Sequence, residues 1–153
     1  MRPCSTDAMT HPIAVGVLVG PRGVLMCRRV QSAKWYPGMW DFPGGHIEDG
    51  ESAGEALARE LLEEVAVTVV PPGNAPSFMV QANEGTPDGL ALSGWVLYAW
   101  TGDPANVATD EHSEIRWLSP DDAVGLDLAH DSCTGLLQNL RWSRTDGAPR
   151  TGQ

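Results

Sequence analysis

Three carboxylates in one short stretch have the type and spacing to hold a cation: Glu60, Glu63 and Glu64. They lie within the run from Pro43 to Val67, which begins Pro43-Gly44-Gly45 and continues into a helical pattern. Ser52 with Glu55 three residues on reads as a capping box and predicts a helix starting near Ala53. Leu57, Leu61 and Val65 recur every four residues and form an apolar stripe for the core. Glu60, Glu63 and Glu64 share the neighbouring arc, with Glu64 at the seam, where water is partly excluded. Like charges on one arc repel by roughly 0.2–0.5 kcal/mol per neighbouring pair. Two readings are open. Glu is a good helix former, and Glu-Leu-Leu-Glu-Glu taken alone favours a solvated helix face. The sharper reading is a site for a hard divalent cation, which takes carboxylate and carbonyl oxygens.

Gly45, Glu51, Arg59-Glu60-Leu61, Glu63-Glu64 and Val67 together resemble the Nudix box. Every charged position of that pattern is present at its spacing. The pattern departs at Ala66, where the family has glycine. That glycine ends the helix in a left-handed turn, which Ala holds at a cost of about 1 kcal/mol. The departure therefore bears on local stability more than on metal binding. Ile13-Ala14-Val15-Gly16, Arg28-Arg29 and Phe42-Pro43-Gly44-Gly45 look most like the MutT-type nucleoside triphosphate diphosphohydrolases. The resemblance implies Mg²⁺, or Mn²⁺, held by Glu60, Glu63, Glu64 and the Gly45 carbonyl. It makes Glu60 the base, oriented by Arg59, with Glu51 steadying loop and helix. The residues alone do not separate Glu60 as base from Glu60 as ligand.

Glu111 precedes Trp117 at the spacing where that subgroup carries a further acid near the metals, which makes it another candidate ligand. Its plainer reading is a loop carboxylate. Leu128-Ala129-His130 resembles the segment where the subgroup presents an asparagine to a guanine edge. A histidine lacks the amide's fixed donor and acceptor, which argues against strict specificity for oxidised guanine. Arg28 and Arg29 end a predicted strand. Without context they are a solvated strand end; two elements before the glycine loop they suit bidentate phosphate contact. Trp35, Tyr36 and Trp40 can stack on a base, although six tryptophans in one domain also fill a core. His46 and His112 are expected to be exposed loop residues without a role.

These residues must be positioned by a single domain. The chain has 153 residues, 42% apolar and 20% charged, enough for one core. Ile13 to Val19 is a nearly continuous apolar run, which predicts a strand buried on both faces. A turn at residues 20–23 joins it to a second strand, Val24 to Val30, and Trp40 to Phe42 makes a short third. Val67 to Val70 is expected as a strand, stopped by Pro71-Pro72-Gly73. Ser77 to Asn83 and Leu90 to Thr101 are expected to pair across a turn at Glu84 to Gly89. A polar loop from Thr109 to Ser113 leads to a strand over Glu114 to Leu118, with Trp117 in the core. Ser119-Pro120-Asp121-Asp122 starts a helix, and a last helix is expected over Ser132 to Trp142, with Leu136, Leu137 and Leu140 inward. The pattern predicts an α/β fold, a three-layer α/β/α sandwich with a mixed central sheet, and the Nudix family has that fold. The expected domain spans residues 11–142, with loose tails at 1–10 and 143–153.

The formal net charge of −10 disfavours polymeric nucleic acid, which is held by basic patches. Cys4, Cys27 and Cys133 are odd in number and widely spaced, which suggests reduced thiols in a cytoplasm rather than a disulfide framework or zinc site. No stretch approaches the roughly 20 apolar residues of a membrane span, and the first ten residues lack a signal-peptide core. The expected partner is a small nucleotide; the oligomeric state is open, a homodimer included. The leading expectation is hydrolysis of nucleoside diphosphate-X linkages in oxidised or otherwise non-standard nucleoside triphosphates. Cleavage of ADP-ribose, NADH or a nucleotide sugar is a second reading, and a nucleotide-sensing module that does not cleave is a third.

Overall fold

The computed structural model describes residues 12–82, 90–130 and 132–142. The tails at 1–10 and 143–153, and the turn at Glu84 to Gly89, lie outside the described residues. Strand β1 (Pro12–Gly20) is central. Its apolar run is buried from Ala14 to Val19 because both faces of the sheet are covered. One edge of β1 runs parallel to β6 (Leu90–Leu97), which pairs antiparallel with β5 (Phe78–Ala82). The other edge pairs with β4 (Gly44–His46) and, beyond it, with β2 (Gly23–Arg29). Strand β2 in turn pairs with β3 (Trp40–Asp41) and β7 (His112–Leu118), making seven strands in one mixed sheet.

Helix α1 (Ala53–Val65) covers one face. Its stripe of Leu57, Leu61 and Val65 is fully buried against Ala14, Leu18, Leu25, Cys27 and Trp95. Each such side chain contributes about 1.5–3 kcal/mol by leaving water. Helices α2 (Pro120–Val124) and α3 (Ser132–Asn139) cover the opposite face over Val15, Val17, Met26 and Phe42. Three layers result, as the sequence pattern implies.

Several boundaries differ from expectation, each for a local reason. Residues 67–70 form no strand: only Thr68 bridges, to Thr101, and the following prolines lack the N–H a ladder needs. Strand β6 stops at Leu97, and Thr101 returns only through that bridge. Helix α3 ends at Asn139, and the indole of Trp142 donates to the Gly20 carbonyl at 2.8 Å. Leu137 is buried as expected, with Leu136 and Leu140 partly so. Strand β7 starts two residues early, at His112, through a bulge opposite Arg28 and Arg29. Cys27 and Cys133 are buried free thiols, and burial pushes Cys133 up to about 12. Among the described residues no helix is long and apolar enough to cross a membrane.

Candidate active site

Local chemistry fixes the start of α1. The Ser52 side chain accepts from the Glu55 N–H and the Glu55 carboxylate accepts from the Ser52 N–H, completing the capping box. One turn further in, Arg59 ties the helix to the loop before it. Its Nε and Nη2 donate to the two oxygens of Glu51 at 2.6 and 3.0 Å. Nη2 also donates to the His46 carbonyl, and Nη1 donates to Glu60 at 3.0 Å and Glu63 at 3.3 Å. The two-point contact with Arg59 holds the Glu51 carboxyl down at about 2. The same carboxylate keeps the Arg59 guanidinium protonated well above its ordinary range.

The strand β4 backbone presents the glycine pair to α1. Ala14 pairs with Gly45 and Val15 with Gly44, which brings the loop across the front of the helix. The Gly44 N–H donates to Glu64 Oε1 at 3.1 Å. A Cβ on Gly45 would stand 2.5 Å from the Glu60 carboxyl carbon, so only glycine lets that carboxylate close on the strand. Glu64 is 4% exposed, and among the described residues no lysine or arginine pairs with it. Burial, reinforced by the Glu60 and Glu111 carboxylates and opposed by the Gly44 N–H, pushes Glu64 up to about 10. Burial also raises Glu60, against the pull of Arg59. Donor atoms of Glu64, Glu111 and His112 lie within 4.8 Å of one another. A buried carboxylate without a counter-charge, flanked by further oxygens, is a donor set that fits a hard divalent cation.

These groups line one cavity of about 220 Å³. Its lining includes Gly45, Glu60, Glu64 and Glu111 together with Arg29, Trp35, Tyr36, Asp41 and His130. Arg29 is anchored there by its Nε, which donates to the Trp35 carbonyl at 2.7 Å. Tyr36 meets the His130 ring edge-on at 4.8 Å between centroids. Not every expected residue reaches the cavity. Arg28 turns to Gly38 and Glu114. Trp40 is buried in the core beneath Arg116. Glu63 lies on the outer arc with its side chain 58% exposed, held by Arg59.

Two residues of the cavity were not expected. His112 is not an exposed loop residue: it is 5% exposed, inside the cavity wall, and its Nε2 stands 3.9 Å from Glu64 Oε1. Burial lowers its affinity for a proton. Alternation from Trp117 and Ile115 would turn Ser113 inward, but the bulge moves the pairing by one and places His112 opposite Arg29. Asp41 is the second. Its Oδ1 accepts the Phe42 N–H, its Oδ2 lies 3.8 Å from His130 Nε2, and burial raises its pKa. The sequence signal for Asp41 is faint, a carboxylate in an otherwise apolar strand next to the glycine loop. His46 is exposed, as expected, at the cavity rim.

The NUDIX domain family matches residues 9–138, and the chain belongs to the Nudix family. It is 32% identical over 92 residues to the 8-oxo-dGTP diphosphatase of Escherichia coli, a match covering 60% of this chain and 69% of that one. It is 27% identical over 95 residues to the Nudix hydrolase YvcI of Bacillus subtilis, covering 60% of this chain and 58% of that one. The chain thus spans between half and two thirds of YvcI. In fold it is similar to the MutT protein of Methanosarcina mazei, with a TM-score of 0.71 at 24% identity, over 84% of this chain and 91% of that one.

Proposed function

We propose that the protein is a divalent-cation-dependent pyrophosphohydrolase that cleaves nucleoside triphosphates to the monophosphate and pyrophosphate. The observation that carries this reading is that one cavity joins a carboxylate cluster to an Arg and aromatic wall. Glu60, Glu64, Glu111 and the Gly45 carbonyl line the cavity and would hold Mg²⁺ or Mn²⁺; Glu63 would join them only by leaving Arg59. When bound, the cation neutralises phosphate oxygens and favours ionisation of water.

The chain's own groups supply the rest. Arg59, fixed by Glu51, holds the Glu60 carboxylate in one orientation. Glu60 takes the proton of the attacking water as its oxygen bonds to phosphorus. The bond from that phosphorus to the bridging oxygen breaks, and the electron pair leaves with the departing phosphate group. Arg29 meets a phosphate, and Trp35 and Tyr36 flank the base, with His130 and Asp41 at its edge. The likeness to the 8-oxo-dGTP diphosphatase supports a nucleoside triphosphate as substrate. Oxidised or otherwise non-standard triphosphates are the proposed subset.

A panel of nucleotides with Mg²⁺, with products identified by phosphorus NMR, tests the reading. Monophosphate plus pyrophosphate from triphosphates is expected. Turnover confined to ADP-ribose, NADH or nucleotide sugars overturns the substrate class. Binding of nucleotides without any cleavage overturns the enzyme.

A further inference from the structure

The cavity wall holds a buried imidazole that the mechanism above does not use. His112 opens β7 with its side chain 6% exposed. Its Nδ1 is buried without a hydrogen-bond partner. Its Nε2 faces Glu64 Oε1 at 3.9 Å, beyond hydrogen-bond reach. Nε2 is the nitrogen on the carboxylate side, the one placed to take a ligand. Ligands at about 2.1 Å from one ion stand about 3 Å apart when adjacent and about 4.2 Å when opposite. Donors of Glu64, Glu111 and His112 within 4.8 Å of one another come close to a shared coordination shell, which a small side-chain rotation would complete. The three come from a helix, a loop and a strand, and the β-bulge before Glu114 turns the imidazole toward the carboxylates.

We propose that His112 is a nitrogen ligand to the cation held between Glu64 and Glu111, making this a mixed carboxylate–imidazole site that prefers Mn²⁺ and Co²⁺ over Mg²⁺. Carboxylates and water suit Mg²⁺, whereas an imidazole adds affinity for first-row transition metals. The inference rests on the carboxylate site proposed above and adds to it a donor and a cation preference.

The test uses the full chain, stripped with chelator and without nucleotide. Pulsed EPR of bound Mn²⁺ reads nitrogen coupling, and calorimetry reads Mn²⁺ and Mg²⁺ affinity. The chain has four histidines, so His11→Gln, His46→Gln and His130→Gln are compared with His112→Gln. The expected result is nitrogen coupling in wild type that persists in those three and vanishes in His112→Gln. In His112→Gln, Mn²⁺ affinity falls about tenfold or more while Mg²⁺ affinity changes less than about threefold. If His112→Gln does not fold, persistence of the coupling in the other three still assigns it to His112, and its loss in any of them overturns the assignment. Bound Mn²⁺ without nitrogen coupling overturns the role of His112 and leaves the carboxylate site standing. Absence of any Mn²⁺ or Mg²⁺ binding overturns both.

Discussion

Arg59 and Glu51 meet at two points, Nε to Oε2 at 2.6 Å and Nη2 to Oε1 at 3.0 Å, and the remaining nitrogen of Arg59 reaches Glu60. Glu51 also accepts the Glu48 N–H, so a loop carboxylate sets the guanidinium that sets the proposed base. A planar fork makes all these contacts from one rigid group; an ammonium cannot.

Arg59→Lys is therefore expected to lower kcat about a hundredfold, as a small misplacement of a catalytic group does. KM should change little. Steady-state kinetics on a nucleoside triphosphate would show it, and an unchanged kcat would mean that Glu60 orients itself.

The Glu51 contact also fixes a pH dependence. Its carboxyl is held at about 2 in the folded state, below the roughly 4.3 of an unfolded chain. A depressed carboxyl stabilises the fold above its unfolded pKa, and the stabilisation is lost as pH falls toward its folded one. Thermal melts of wild type and Glu51→Gln are expected to differ most at pH 6 and to converge as pH falls from about 4.5 toward 2. A gap that is constant with pH would assign the effect to packing.

Glu64 behaves in the opposite sense. In the metal-free protein its carboxyl is pushed up to about 10, so the fold prefers it protonated and loses stability as pH rises above the unfolded value. Glu64→Gln cannot ionise. It is expected to raise the melting temperature in chelator, more at pH 8 than at pH 5, while weakening metal binding. A variant that melts lower at both pH values would contradict the view of Glu64 as an uncompensated buried acid.

Ala66 ends α1 with φ 62° and ψ 32°, the left-handed turn expected from its place after the paired glutamates. Glycine relieves that strain, so Ala66→Gly should stabilise by about 1 kcal/mol, or roughly 2–4 °C in Tm. A loss of stability would contradict it. Kinetic parameters should not move.

The helix was legible in sequence because its determinants are local: the capping box, the four-residue stripe, and the strained Ala66. The sandwich was legible because β1 is apolar at every position that both faces bury. His112 was not, because it depends on a bulge, and a shift of one residue exchanges the two faces of a strand. Asp41 was not, because its burial depends on distant chain. Strand β3 is clamped when the Trp40 N–H donates to the Asp127 carbonyl and Ala129 donates back to the Trp40 carbonyl. That clamp carries His130 to Asp41. Trp40 was within reach of the site in sequence, and the same clamp locks it into the core instead.

His130 and Asp41 line the cavity 3.8 Å apart, and in the proposed reading they meet the polar edge of the base. A missing hydrogen-bond partner in a buried site costs about 1–3 kcal/mol. His130→Asn and Asp41→Asn are thus expected to change the ratio of kcat/KM for oxidised over normal dGTP by about 5- to 150-fold, with a modest ratio in wild type. An unchanged ratio in both would move specificity to Arg29, Trp35 and Tyr36.

The most direct measurement is the turnover of Glu60→Gln on a nucleoside triphosphate with Mg²⁺, beside its melting curve. Removal of a general base is expected to lower kcat by about 10²–10⁴-fold, with the fold intact and wild-type turnover abolished by chelator. A Glu60→Gln enzyme that turns over at the wild-type rate, or wild type that keeps its activity in excess chelator, would contradict the proposed chemistry at this carboxylate cluster.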